Sequence, residues 1–166
     1  MRFISTIACE KVIIDKAGAH TLIEVLSGAD IAITPPEGTS QQLPENALSP
    51  KPWWIFSMWE PGKDDEGQEV EQVYAVYWPN GEKLMEGKSV PFRMTDRVQY
   101  TSYQILGFPV GQQGKVKVST WITRSGNKIT APFDYFITIR HVSQDHHSRE
   151  TPYTIQTAIG AAQPNQ

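Results

Sequence analysis

Residues 115–140, which read KVKVSTWITRSGNKITAPFDYFITIR, decide the fold class. Apolar and polar residues alternate on both sides of a short turn at residues 124–127. This spacing of two is typical of half-buried β-strands, and two such runs joined by a short glycine-containing turn form a hairpin. The predicted core face of the hairpin comprises Val116, Val118, Thr120 and Ile122 on the first strand, and Ile129, Ala131, Phe133, Tyr135, Ile137 and Ile139 on the second.

The rest of the chain follows the same pattern. Further β-like runs cover residues 3–14, 21–26, 53–59, 70–78 and 97–108, and turn residues separate them. Long segments with helical periodicity do not occur. We therefore expect an all-β fold, an antiparallel β-sandwich of about seven to nine strands, with a β-barrel as the alternative. Residues 1–143 form the predicted sandwich domain, and residues 144–166 form a polar C-terminal tail that is partly disordered.

Composition excludes several classes of function. The 166 residues carry a net charge of −3, which argues against nucleic-acid binding, since that requires clustered Lys and Arg. No apolar run approaches the ~18 residues of a membrane helix, so we expect a soluble protein without a membrane partner. The single cysteine, Cys9, continues an apolar strand and is predicted to be buried. A lone cysteine favours a cytoplasmic location, and no motif calls for a cofactor.

The first hairpin resembles the opening of an uncharacterised bacterial β-sandwich family. The resemblance is carried by Cys9-Glu10-x-Val12-Ile13-Ile14-Asp15-x-x-Gly18-x-x-Thr21-Leu22-Ile23-x-Val25. The hairpin from Gly114 to Ile139, which follows a Phe108-Pro109 pair, is similar to that family's closing strands. The chain departs from the family in its proline-rich loop, its Trp-rich third strand and its tail, and Glu24 stands where glycine is common. The resemblance implies a bacterial β-sandwich and carries no activity.

Aromatic residues are the first candidates for a binding surface. Alternation places Trp53 and Trp59 on one face of the third long strand and Trp54 on the other, so both faces are apolar. Such a strand is either covered on both sides or presents an exposed aromatic patch. In the closing hairpin, Trp121 and Phe136 are out of phase with the core residues, and we expect them to pair with each other or to bind a partner. Trp53, Trp59, Trp121 and Phe136 are therefore the candidate interaction residues.

Two polar clusters are weaker candidates. His141, Asp145, His146 and His147 lie at the end of the last long strand and include metal-ligand types, but a solvated, polar turn is the simpler interpretation.

The second cluster is an acidic stretch between residues 60 and 71. Its central residues Asp64, Asp65 and Glu66 could bind Ca²⁺ or supply a carboxylate pair, as glycosidases do, but their spacing matches no calcium motif. A solvated loop is the simpler interpretation. It predicts that neutralising all three changes stability by only about 0.5 kcal/mol.

Two functional hypotheses remain. Without a catalytic motif, the first is a non-enzymatic module that binds protein, either another chain or a second copy of itself. The alternative is a β-sandwich that binds carbohydrate or a small ligand, with or without hydrolysing it, using exposed Trp residues and the acidic loop.

Overall fold

The computed structural model describes residues 1–26, 30–34, 43–142 and 154–156, and all of its regular structure is β. The twelve strands in these ranges are β1 (Arg2–Ile14), β2 (His20–Val25), β3 (Asp30–Thr34), β4 (Leu48–Glu60), β5 (Glu69–Tyr77), β6 (Lys83–Lys88), β7 (Phe92–Arg93), β8 (Gln99–Pro109), β9 (Gly114–Arg124), β10 (Asn127–Lys128), β11 (Phe133–His141) and β12 (Thr154–Gln156). The predicted all-β class is confirmed. The count exceeds the predicted seven to nine because β7, β10 and β12 are pieces of two or three residues.

The strands form two sheets. The smaller sheet has the order β2-β1-β4-β8, and the larger has the order β12-β3-β11-β9-β5-β6, with β10 paired to β9 and β7 to β5. Both sheets are open, so the sandwich prediction is confirmed and the barrel alternative is wrong. The pairing is antiparallel except at β3, which runs parallel to β11 and β12. This exception arises where the chain passes from the smaller sheet at β2 to the larger at β3.

The closing hairpin has the predicted turn. Ser125 and Gly126 both have positive φ, 49° and 79°, which is the type I′ geometry that suits a two-residue hairpin loop. Asn127 pairs with Arg124 directly after the turn.

The predicted core face of the second hairpin strand holds only in its later half. Ile137 and Ile139 are buried, whereas Ile129 and Phe133 are 40% and 38% exposed. The cause is a register shift, because Lys128 pairs with Thr123 but Phe133 pairs with Thr120. Five steps along one strand thus match three along the other, and residues 129–132 bulge away from the core.

The main core lies between the two sheets. Trp53 and Ile55 from the smaller sheet pack in one cluster with Val116, Val118 and Ile137 from the larger sheet. Each of these five side chains is at most 1% exposed. Burial of this face confirms the period-two prediction for these positions.

A layer of hydrogen-bonded polar side chains interrupts that core. Gln72 on β5 is fully buried, and its Oε1 accepts a hydrogen bond from Trp59 Nε1 at 2.6 Å and another from the Thr101 hydroxyl. Gln72 Nε2 donates to Ser57 Oγ at 3.0 Å, and Ser57 Oγ is 2.8 Å from Thr6 Oγ1. These bonds join three strands of the smaller sheet to β5 in the larger sheet.

Several predicted features lie outside the described residues. Asp145, His146 and His147 are among them, as is the tail from 144 onwards apart from 154–156. The short β12 within that tail lies beside β3. No described part of the chain forms a helix that is long and apolar enough to span a membrane.

Candidate functional site

Trp53 and Trp59 belong to the core. Trp53 is 1% exposed, packs edge-on against Phe108 and donates from Nε1 to the Gly107 carbonyl at 3.2 Å. Trp59 is fully buried and bonds to Gln72. Their prediction as contact residues is therefore wrong. The inter-sheet side of β4 is the Trp53 side, so neither ring reaches a ligand or partner from the surface.

Trp121 and Phe136 lie on the outer side of the larger sheet, but they do not pair. Phe136 is opposite Lys117 on β9, while Trp121 is opposite Val73 on β5. The Lys128 ammonium lies 4.2 Å from the centre of the half-buried Trp121 ring, a cation–π contact. Phe136 is 49% exposed. The outward position predicted for both is confirmed, whereas the predicted pair is wrong because the register sets them apart.

His141 lines an open cleft at one end of the sandwich. The cleft has a volume of about 370 Å³, and Glu45, Gln112 and Gln113 also line it. His141 Nε2 lies 2.7 Å from the Val110 carbonyl and donates to it, since a carbonyl oxygen can only accept. Within the ranges that the structure describes, no three His, Cys, Asp or Glu residues converge on a metal site.

The acidic loop is not uniformly solvated. Asp64 and Glu66 are exposed, but the Asp65 carboxylate is 13% exposed and lies 2.5 Å from the α-amino group of Met1. It also accepts from the Gly62 backbone and from Arg124. The hydrogen bond with the α-amino group is the main reason that the pKa of Asp65 lies below its ordinary value. Asp65 thus links Met1, the residue before β1, to the end of β9.

The outer side of the smaller sheet carries a second apolar surface. Cys9 and Phe56 are buried there, with Trp54, Met58 and Leu22 partly buried around them. Burial raises the pKa of the Cys9 thiol to about 11, so the reactive thiolate is scarce at neutral pH. The predicted burial of Cys9 is confirmed.

Tyr100 extends this outer surface to the edge of the smaller sheet. Its ring lies 5.9 Å from the Phe56 ring and 4.9 Å from the His20 ring, measured between centroids. Tyr100 is 50% exposed, and Leu106 on the same strand is 74% exposed. Apolar surface therefore continues from the middle of the sheet to β8.

Strand β8 is an edge without the usual protection. It pairs with β4 on one side, and no strand among the described residues pairs with its other side. It is 11 residues long, and residues 98–114 contain no charged side chain. Natural edge strands are usually shortened, kinked or charged, because free backbone N–H and C=O groups invite another strand. On β8 the interruptions come only at its end, at Gly107, where φ is +89°, and at Pro109, the last residue of the strand.

Two other sheet edges, β2 and β6, are better protected. Strand β2 has six residues, and Glu24 near its end has a φ of 52°, a left-handed conformation that interrupts regular pairing. Strand β6 also has six residues, and it carries Lys83, Glu86 and Lys88. The contrast with these two edges makes β8 the candidate interaction site. The signal available in the sequence was the uncharged stretch 98–114.

Comparison with known proteins adds no family to this geometry. No family model matches the sequence, and no curated protein does.

Proposed function

We propose that this protein is a non-enzymatic interaction module that binds another protein chain by adding a strand to the β8 edge. The observation that carries the proposal is the length and neutrality of β8 beside the short, charged or kinked edges β2 and β6. In strand addition, backbone hydrogen bonds supply affinity and alternate side chains supply specificity. Tyr100 and Leu106, the two most exposed apolar side chains of β8, would provide that specificity.

The inner side of β8 supports the same role. Tyr103 donates from its hydroxyl to the Gln72 carbonyl at 3.2 Å, and burial raises its pKa to about 12. Together with the bond from Thr101 to the Gln72 side chain, this contact ties the strand to the larger sheet. An edge that is held in place loses less entropy when a partner strand docks.

The expected bacterial origin, cytoplasmic location and lack of a nucleic-acid partner are also part of this proposal. A bacterial origin follows the resemblance of the first hairpin, and a cytoplasmic location fits a chain with one reduced, buried thiol. The net charge of −3 gives no support to a nucleic-acid partner.

Site-specific photo-crosslinking tests the proposal. A photoreactive phenylalanine analogue is placed at Leu106 on the edge and, as a matched control, at Phe136, an exposed apolar position on the other sheet. In extract of the cells that naturally express the chain, the Leu106 probe should capture a discrete protein species and the Phe136 probe should not. Discrete capture from Phe136 alone would refute the proposal.

A small-ligand function is the second candidate, and the end cleft is the observation that favours it. Its volume of about 370 Å³ falls within the range of ~300–1,000 Å³ found for ligand sites. The neutral amide groups of Gln112 and Gln113 suit a polar, uncharged ligand such as a sugar. Calorimetric titration with a panel of mono- and oligosaccharides tests this candidate, with Gln112→Ala as the comparison. Absence of heat with every sugar would remove it.

A further inference from the structure

The outward side chains of β8 form a pattern that is symmetric about Tyr103. Alternation along the strand, together with pairing to Met58, Phe56 and Trp54, places Tyr100, Ser102 and Gln104 on the outer side of the sheet. Leu106 completes this series. The order is thus apolar, polar, polar, apolar, and the two apolar members are 50% and 74% exposed.

A strand with this symmetry complements itself. When two copies of β8 lie antiparallel with a two-fold axis at Tyr103, each residue faces the one equally far on the other side of Tyr103. Tyr100 then faces Leu106 of the second copy, and Ser102 faces Gln104 of the second copy. Neighbouring registers break this match: an axis at Gln104 would set Leu106 against Ser102 of the second copy. Register is specified where one alignment pairs apolar with apolar residues.

Charge allows the same arrangement. A charged edge meeting its own copy would in most registers place like charges close together, as the three charged residues of β6 would. Strand β8 has none. The Tyr100 ring is already supported by Phe56 and His20, so it needs little ordering before it packs on a second copy.

We infer that the partner chain that binds at the β8 edge is a second copy of this protein, whose own β8 pairs antiparallel about Tyr103. The inference rests on the proposed function and specifies its partner. The product is a continuous eight-stranded sheet with the order β2-β1-β4-β8 in one copy followed by β8-β4-β1-β2 in the other. Such an isologous two-fold interface closes on itself and gives a dimer rather than a filament.

Opposite charges introduced at the two positions of the predicted contact test the register. Tyr100→Glu and Leu106→Lys should each weaken dimerisation by at least about tenfold, because each places an unpaired charge opposite an apolar residue in both symmetric contacts. A mixture of the two variants should restore the dimer, since a mixed dimer has one Glu–Lys pair and one original Leu–Tyr pair. Sedimentation from micromolar to millimolar concentration gives the masses, and Phe136→Glu is the control that should dimerise like the wild type.

A second pair of substitutions tests the same register at positions where misfolding is less of a concern. Ser102→Glu and Gln104→Lys face each other in the same register, and both replace polar side chains on the outer side. Each alone should dimerise more weakly than the wild type, and the mixture should restore the dimer. Thermal melts of each variant confirm folding before the masses are compared.

The outcomes separate the partner from the function. A wild type that stays monomeric throughout overturns the inference. A dimer that survives the single substitutions, or mixtures that fail to restore it, overturns the register. A photo-crosslinked species at Leu106 whose mass differs from two copies of this chain overturns self-pairing but leaves the proposed function standing. A lack of any discrete species at Leu106 removes both.

Discussion

Replacing Gln72 by Met tests the polar layer between the sheets. The two side chains are similar in length and shape, so the change removes hydrogen bonds with little change in volume. Trp59 Nε1 loses its acceptor, and the indole can only donate, so a fully buried donor is left unpaired. Ser57 keeps its contact with Thr6 at 2.8 Å. Half-buried Thr101 loses its acceptor as well.

The expected cost follows from these losses. One unpaired buried donor costs about 1–3 kcal/mol, and the lost bond of Thr101 adds about 1 kcal/mol. Gln72→Met should therefore lower the free energy of unfolding by about 2–4 kcal/mol. In a domain of this size each kcal/mol corresponds to about 2–4 °C in Tm, so the melting temperature should fall by about 5–15 °C.

Chemical denaturation followed by Trp fluorescence measures this change, with Thr120→Val as the matched control. Thr120 is also fully buried, but it makes one contact in the layer, 3.1 Å from Thr6 Oγ1, and Thr6 keeps Ser57. That control should cost about 0.5–1.5 kcal/mol. If Gln72→Met is no more destabilising than Thr120→Val, the layer does not depend on Gln72 and the reasoning is refuted.

Three further predictions concern single sites. Asp65→Asn should cost about 1–3 kcal/mol of unfolding free energy, whereas exposed Asp64→Asn should change little, and equal losses in denaturation would contradict this. Because the folded-state pKa of Asp65 is lowered, its contribution is present at neutral pH and is lost as pH falls through that value, so acid melts of Asp65→Asn should show a weaker decline than wild type. Cys9 should resist a thiol reagent at pH 8 until denaturant is added, and rapid native labelling would show that it is accessible. At φ 52°, Glu24→Val should cost about 1–2 kcal/mol and Glu24→Gly should not, as thermal melts can establish.

Local patterns were enough to predict the parts of the fold that depend on neighbours in sequence. The turn at Ser125 and Gly126, and the burial of Val118 and Ile137, follow from turn chemistry and alternation. Neither depends on which strand lies next to which. The all-β class follows from the same periodicity repeated along the chain.

Strand order limited the prediction of the site. Both faces of β4 are apolar, so alternation could separate Trp53 from Trp54 but could not say which face meets the larger sheet. The structure places Trp53 between the sheets and Trp54 outside. Asp65 was hidden for a related reason, since Met1 and Arg124 come from distant parts of the chain. An edge is likewise a property of the sheet and not of the strand.

In β8 a single residue makes the alternating pattern fail as a predictor of burial. Tyr100, Leu106 and Phe108 share one phase in the sequence, yet Leu106 is 74% exposed and Phe108 is 2% exposed. Gly107 lies between them with a φ of +89°, a conformation that reverses the side on which the next residue points. Its carbonyl accepts a hydrogen bond from Trp53 Nε1, which holds this part of β8 against the core.

Strand β8 belongs both to the polar layer and to the unpaired edge of the smaller sheet. The inward residues Thr101 and Tyr103 hydrogen bond to Gln72, while the outward residues between Tyr100 and Leu106 face away from the core. A free edge strand held only by β4 would lose backbone entropy on pairing, at about 1–2 kcal/mol for each residue that becomes ordered. The hydrogen bonds to Gln72 already order this backbone when the protein folds, so less entropy is lost when a partner strand pairs with it. In the proposed function, the polar layer would therefore contribute to binding without contact with the partner, because it orders the backbone that the partner would recognise.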